Sequence, residues 1–90
     1  MSDTVRRPVE YAVALSYDRT RAPTVSAKGR GAIAERIADL AAEHGIPLRE
    51  DPALAYALSQ IPLGEEIPAA LYVAVAEVLA FVYHLNGETP

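Results

Sequence analysis

Residues 11–17 read YAVALSY, and their pattern indicates the first element of the fold. Its large side chains alternate with small ones, which is the period-two pattern of a β-strand. The large ones are Tyr11, Val13, Leu15 and Tyr17. A polar turn at 18–23 and a shorter apolar stretch at 24–27 follow, so the pattern predicts two strands joined as a hairpin.

Beyond the hairpin, three stretches have apolar residues at helical spacing, at 32–44, 52–59 and 68–85. Between the first two, residues 46–50 are short and apolar at their start, which predicts a strand that returns to the sheet. The order β-β-α-β-α-α is typical of a mixed α/β (α+β) domain. We expect a small sheet of about three to four strands, covered by about three helices.

The core and the helix ends follow from the same patterns. The residues expected in the core are Tyr11, Val13, Leu15, Ile33, Ile37, Leu71, Val75 and Leu79. Asp51 is a good N-cap, with Pro52 as the first helical residue. Gly45 suits the residue after a helix, because it adopts a left-handed conformation easily. Lys28 to Gly31 is expected to end the second strand and open the first helix.

The composition excludes several classes of protein. Ninety residues, 51% of them apolar and 22% charged, make one small domain. No cysteine is present, which excludes a disulfide scaffold and a thiolate metal site. His44 and His84 stand forty residues apart at expected helix ends, so neither a metal site nor a cofactor is predicted. Neither a membrane span nor a signal peptide is evident, and no nucleophile has an evident base, which favours a cytoplasmic protein without enzyme activity.

Charge is distributed unevenly along the chain. Residues 1–36 hold seven basic side chains against four acidic ones, and residues 37–90 hold one against eight, for a net charge of −4. The basic half could orient a charged partner, with Arg19, Arg21, Lys28 and Arg30 as candidates. Simple solvation of both halves is the alternative. A nucleic-acid-binding module is a further alternative, but a pI near 5.0 and the lack of a recognised motif argue against nucleic acid.

Two tracts, 8–31 and 67–85, resemble the C-terminal cytoplasmic domain of the type III secretion export-switch proteins, the FlhB/YscU/HrcU family. Flagellar members carry Asn-Pro-Thr-His followed by Tyr-Ala-Val-Ala-Leu, and residues 11–15 here read YAVAL. The family then shows Ala-Pro, a short strand and Ala-Lys-Gly, which residues 22–29 match as APTVSAKG. The most specific match is IPAALYVAVAEVLA at 67–80.

The resemblance implies a non-enzymatic component of a secretion machine, which binds export substrates or regulators and switches substrate class. Family members also cleave themselves between the Asn and Pro of their motif, through attack of the Asn amide on its own carbonyl. Here Arg7 stands at the Asn position before Pro8, and Val9 and Glu10 replace Thr and His. A guanidinium cannot close the succinimide ring, so self-cleavage is not expected.

Pro8 matches the first residue of the fragment that family members release. We therefore expect a free-standing homologue of the switch domain, with residues 1–7 as an extension, 8–86 as the domain and 87–90 as a tail. It would mimic the cleaved form, recognise export substrates, and work in the cytoplasm at the cytosolic face of the export apparatus. A regulator that competes with the true switch domain is the alternative.

The family's upstream strand has no counterpart here, so the strand at 11–17 is expected to have an exposed edge unless residues 2–7 cover it. Through that edge the chain could dock onto a truncated export-switch membrane protein, or form a homo-oligomer.

Overall fold

The fold begins with an antiparallel hairpin, in a computed structural model that describes residues 9–85, with side chains described as far as residue 82. Strand β1 (Tyr11–Ser16) pairs with strand β2 (Thr24–Arg30). A β-bulge interrupts the register between Ala14 and Leu15, where Ser26 Oγ donates a 3.1 Å hydrogen bond to the Ala14 carbonyl. The expected strand end at Lys28 is wrong, because β2 runs on to Arg30.

Three helices follow, as predicted, and the mixed α/β class is confirmed. They are α1 (Ala32–Glu43), α2 (Pro52–Ser59) and α3 (Tyr72–Leu85), the last preceded by a 3₁₀ turn at Ala69–Leu71. Asp51 caps α2, since its carboxylate accepts a 3.1 Å hydrogen bond from Leu54 N. Gly45 follows α1 with φ 66°, and the N–H groups of Gly45 and Ile46 donate to carbonyls of the last turn.

Helix α1 packs on the sheet through alanines. Its buried residues are Ala34, Ala38 and Ala41. They face the small residues Ala12, Ala14, Ala27 and Gly29, which share one face of the hairpin. The expectation of a core role for Ile33 is wrong: its side chain is 62% exposed, because the close approach of α1 turns the alanine row toward the sheet. Ile37, one turn further along, is half-buried beside that row.

The main core lies against the other face of the sheet. It is formed by Val25, Leu58, Ile61, Ile67 and Val75, with Val13, Leu15, Leu54, Leu71 and Leu79 packed around it. Val75 of α3 is 1% exposed. At the edge of this face the half-buried ring of Tyr11 meets Tyr56 of α2 edge to face, with ring centroids 5.2 Å apart.

The strand expected at 46–50 is wrong, because this segment forms no strand in the structure. Pro47 has no N–H to donate, and the side chains of Ile46 and Leu48 are exposed on the surface. The segment links α1 to α2, and the Arg49 guanidinium lies 5.3 Å from the centre of the Phe81 ring in α3. The sheet formed by the described residues therefore has two strands.

A stretch between α2 and α3 covers part of the outer edge of β2. Val25 N donates to the Glu65 carbonyl (3.0 Å), and Gly64 N donates to the Val25 carbonyl (2.7 Å). Ile67 N donates to the Pro23 carbonyl at 2.9 Å. These main-chain bonds hold the start of α3 beside the β1–β2 loop.

Candidate functional site

The β1–β2 loop has a defined shape. The Asp18 carboxylate accepts hydrogen bonds from Thr20 N (2.9 Å), Thr20 Oγ1 (2.8 Å) and Arg21 N (3.3 Å). The backbone N–H of Thr20, then its hydroxyl, and also Arg21 lower the pKa of Asp18 below its ordinary value of 3.8. Arg19 has φ 73°, a left-handed conformation that few residues other than glycine adopt. The loop thus has one ordered turn in which an ionised carboxylate is the central acceptor.

A groove of about 370 Å³ runs between this loop and α3. Its lining residues are Tyr17, Arg19, Thr20, Arg21, Ala22, Pro23, Ile67, Tyr72, Val75, Ala76 and Leu79. The floor belongs to the core and its margins, while the rings of Tyr17 and Tyr72 are exposed at the sides. Such a volume lies at the low end of ligand pockets, and it suits one or two apolar side chains.

Two of the four predicted partner-binding cations lie in this groove, Arg19 and Arg21. Lys28 does not, because its ammonium points into the protein and donates to the Ser59 carbonyl (3.1 Å) and the Ile61 carbonyl (2.7 Å). Its expected partner-facing role is therefore replaced by a contact between β2 and the end of α2. Arg30 is exposed at the far end of β2, across from Tyr11.

The degenerate cleavage motif lies at the start of the described chain. Arg7 and Pro8 are outside the described residues. Val9 N donates a 2.6 Å hydrogen bond to Glu35 Oε2 of α1. The carbonyl of Glu10 accepts from Gly31 N at 2.9 Å, while its side chain is exposed. These bonds attach the chain that enters β1 to the start of α1.

Neither a metal-binding cluster nor a membrane-spanning helix is found in the part of the chain that the structure describes. Between residues 9 and 82 there is no group of three or more His, Asp or Glu side chains that could hold a metal. His44 Nδ1 lies 2.9 Å from the Leu40 carbonyl oxygen at the end of α1, as a helix cap would. None of the helices described is long and apolar enough to cross a bilayer.

Sequence reasoning missed most of the groove. It assigned Val75 and Leu79 to the core, and it gave no site role to Ala22, Pro23 or Ala76. The sequence held one signal of the groove. The helix predicted at 68–85 has apolar residues around most of its circumference, which is more than one face packed on the core. The unexplained part of that surface includes Tyr72 and Ala76, which line the groove.

Comparison with known proteins gives a consistent result. Residues 4–82 match the model of the FlhB HrpN YscU SpaS Family. The flagellar biosynthetic protein FlhB of Yersinia enterocolitica is 58% identical over 85 residues, which are 91% of this chain and 22% of FlhB. The chain therefore spans about a fifth of the length of that relative. The uncharacterised protein YlqH of Bacillus subtilis is 40% identical over 81 residues, which cover 88% of this chain and 87% of YlqH.

The fold is also shared with a solved structure. The cytoplasmic domain of FlhB from Shewanella putrefaciens superimposes with a TM-score of 0.80 at 42% identity, over 89% of this chain and 67% of that one. Family model, sequence relatives and structure agree over nearly the whole length. This chain belongs to the FlhB HrpN YscU SpaS family.

Proposed function

We propose that the chain is a protein-interaction component of flagellar or related type III export, acting in the cytoplasm at the export apparatus. Its groove would hold an apolar segment of an export substrate, as a switch domain in its cleaved form would. The support is the groove itself, in which exposed tyrosine rings flank a floor continuous with the core. The family and its relatives support the assignment to export.

Two substitutions on α3 separate groove binding from folding. Ala76 lines the groove and is exposed, so Ala76→Asp places a charge there without disturbing the core. Val73 is 75% exposed and does not line the groove, so Val73→Asp is the matched control. Each variant replaces the protein in the source organism, and secretion of flagellar or type III substrates is measured.

We expect deletion and Ala76→Asp to lower secretion, with Val73→Asp near wild type. Deletion that raises or mistimes secretion would favour the alternative of a competing regulator. Unchanged secretion after deletion would overturn a role in export. Equal effects of Ala76→Asp and Val73→Asp would remove the groove from the proposal.

We also propose that the outer edge of β1 accepts a strand from a truncated export-switch membrane protein or from a second copy. Within residues 9–85, β1 pairs with β2 alone. The Glu10 carbonyl points toward β2, because it accepts a hydrogen bond from Gly31 N. The backbone groups of successive residues in a strand point to alternate sides, so the N–H groups of Tyr11 and Val13 point to the outer edge. Strand addition would satisfy them.

Amide hydrogen exchange at single residues tests the edge, with light scattering to give the mass. A linker peptide from the membrane protein should slow exchange at Tyr11 and Val13, while Ala12, paired toward β2, should change little. A second copy should slow the same two amides at high concentration and double the mass. A monomer whose exchange ignores the peptide would overturn this proposal.

We further propose that the bond before Pro8 stays intact, since Arg7 cannot form a succinimide. The intact mass of the purified protein, followed over days, tests this. A fragment that begins at Pro8 would contradict it, and Arg7→Asn shows whether the rest of the fold can support cleavage.

A further inference from the structure

The groove differs in charge from the rest of the chain. Its lining includes Arg19 and Arg21 and no acidic residue, although the chain has twelve acidic residues and a net charge of −4. An apolar groove with a cationic rim is complementary to an apolar ligand with a negative charge beside it. The charged side chains that line this groove are therefore both positive.

The cationic rim is also ordered before a ligand arrives. The Asp18 carboxylate holds the loop through Thr20, and Arg21 N is one of its donors. The backbone that carries the Arg21 side chain is therefore fixed beside the groove. A charged group on an ordered backbone loses less conformational entropy when it pairs with a ligand.

Of the two arginines, Arg21 is the better placed for a ligand. It lines the apolar groove and also a second concavity of about 380 Å³ on the other side of the loop. It forms no ion pair with any residue between 9 and 82, although its charge helps to lower the pKa of Asp18. The Asp18 carboxylate itself is engaged by Thr20. The Arg21 guanidinium thus keeps donors for a carboxylate that enters from outside.

We infer that the groove selects a peptide segment in which an apolar side chain has an Asp or Glu close by, and that Arg21 binds that carboxylate. The inference rests on the proposed function, because it specifies the ligand of the same groove. A guanidinium can bind a carboxylate through two parallel hydrogen bonds. Since the pair is close to solvent, we expect about a 1.5- to 5-fold gain in affinity.

The test uses short fluorescent peptides and the full chain. The peptides carry leucines in a Gly/Ser background and differ only in neighbouring positions, which are Asp, Asn or Lys. Binding is measured by anisotropy at low and at physiological salt, for the wild type, Arg21→Gln, Arg30→Gln and Ala76→Asp. Arg30 is exposed and does not line the groove, so Arg30→Gln is the control for the lost charge.

In the wild type, the Asp peptide should bind tightest and the Lys peptide weakest, with a preference that shrinks as salt rises. Arg21→Gln should abolish the preference and leave the affinity for the Asn peptide unchanged, while Arg30→Gln keeps it. If Asp and Asn peptides bind the wild type equally and Ala76→Asp weakens both, selection by charge is overturned. The proposal that the groove binds apolar segments is then still supported. If no peptide binds, or Ala76→Asp changes nothing, the proposed use of the groove fails as well.

Discussion

Lys28→Met is the most informative single change, because it separates two roles for one cation. The sequence suggested a partner-facing charge, whereas the Lys28 ammonium donates to the Ser59 carbonyl at 3.1 Å and to the Ile61 carbonyl at 2.7 Å. Methionine keeps most of the apolar stem of lysine and removes both bonds. Stability should therefore fall, and binding at the groove should not change while the domain is folded.

The size of the loss follows from the contacts. A hydrogen bond to a charged group contributes about 1.5–3 kcal/mol, and a cation at a helix C-terminus about 0.3–1 kcal/mol. Lys28 is half-buried, so water can partly replace it at the two carbonyls. We therefore expect a loss of about 2–3 kcal/mol in the free energy of unfolding, somewhat less than the low ends of those ranges give for two hydrogen bonds and one helix terminus. In a domain of this size, this lowers the melting temperature by about 8–24 °C.

Urea unfolding followed by circular dichroism measures the loss, and Arg30→Met is the matched control. Arg30 lies on the same strand with its side chain exposed, so its replacement should change the free energy of unfolding by less than about 0.5 kcal/mol. Equal stability of Lys28→Met and Arg30→Met would contradict this prediction. The ammonium would then contribute nothing to holding α2, and Lys28 would again be a candidate for partner binding.

Three further predictions concern packing and charge elsewhere. A Cβ added in Gly29→Ala would overlap Cγ2 and Cβ of Ile33, so calorimetry should show a loss of about 1–3 kcal/mol. Ile33→Ala in the same chain should recover part of it, and strictly additive effects would contradict the clash. Val75→Ala, at a side chain 1% exposed, should cost about 2–3 kcal/mol in denaturant, whereas a loss below about 1 kcal/mol would remove Val75 from the core. The folded-state pKa of Asp18 lies below 3.8, so its stabilisation is present above that pH and disappears as pH falls through the folded-state pKa. An NMR titration of its carboxyl carbon with a midpoint at or above 3.8 would disprove this, and Asp18→Asn should remove that part of the pH dependence.

Local patterns predicted the hairpin and the three helices because the local signals there agree with the packing. The alternation from Tyr11 to Leu15 forms β1, and Asp51 and Gly45 act at helix ends as predicted. The pattern on α1 was misleading for a physical reason. The larger apolar residues of α1, such as Ile33, suggested the buried side of the helix. The side chains on the opposing face of the sheet are so small that α1 lies close to it, and the alanines of α1 make the contact.

The groove could not be predicted because it depends on distant parts of the chain. Its walls come from the β1–β2 loop and from α3, and their spacing is set by main-chain bonds such as Ile67 N to the Pro23 carbonyl. Every residue has a main-chain carbonyl, and every residue except proline has an N–H, so these bonds leave no trace in side-chain patterns. For the same reason, nothing in its side chain distinguishes Lys28 from a surface cation until the ends of α2 and β2 are placed together.

Main-chain hydrogen bonds join residues 64–67 to the start of β2 and so hold α3 beside the β1–β2 loop. One wall of the groove lies about fifty residues from the other along the chain, so the groove exists only while α3 is docked. Detachment of α3 alone would erase it before the hairpin opens, and local openings of this kind require less free energy than global unfolding. A ligand bound there must shift that equilibrium toward the docked state. Occupancy of the groove and attachment of the last helix are therefore thermodynamically linked, and each strengthens the other.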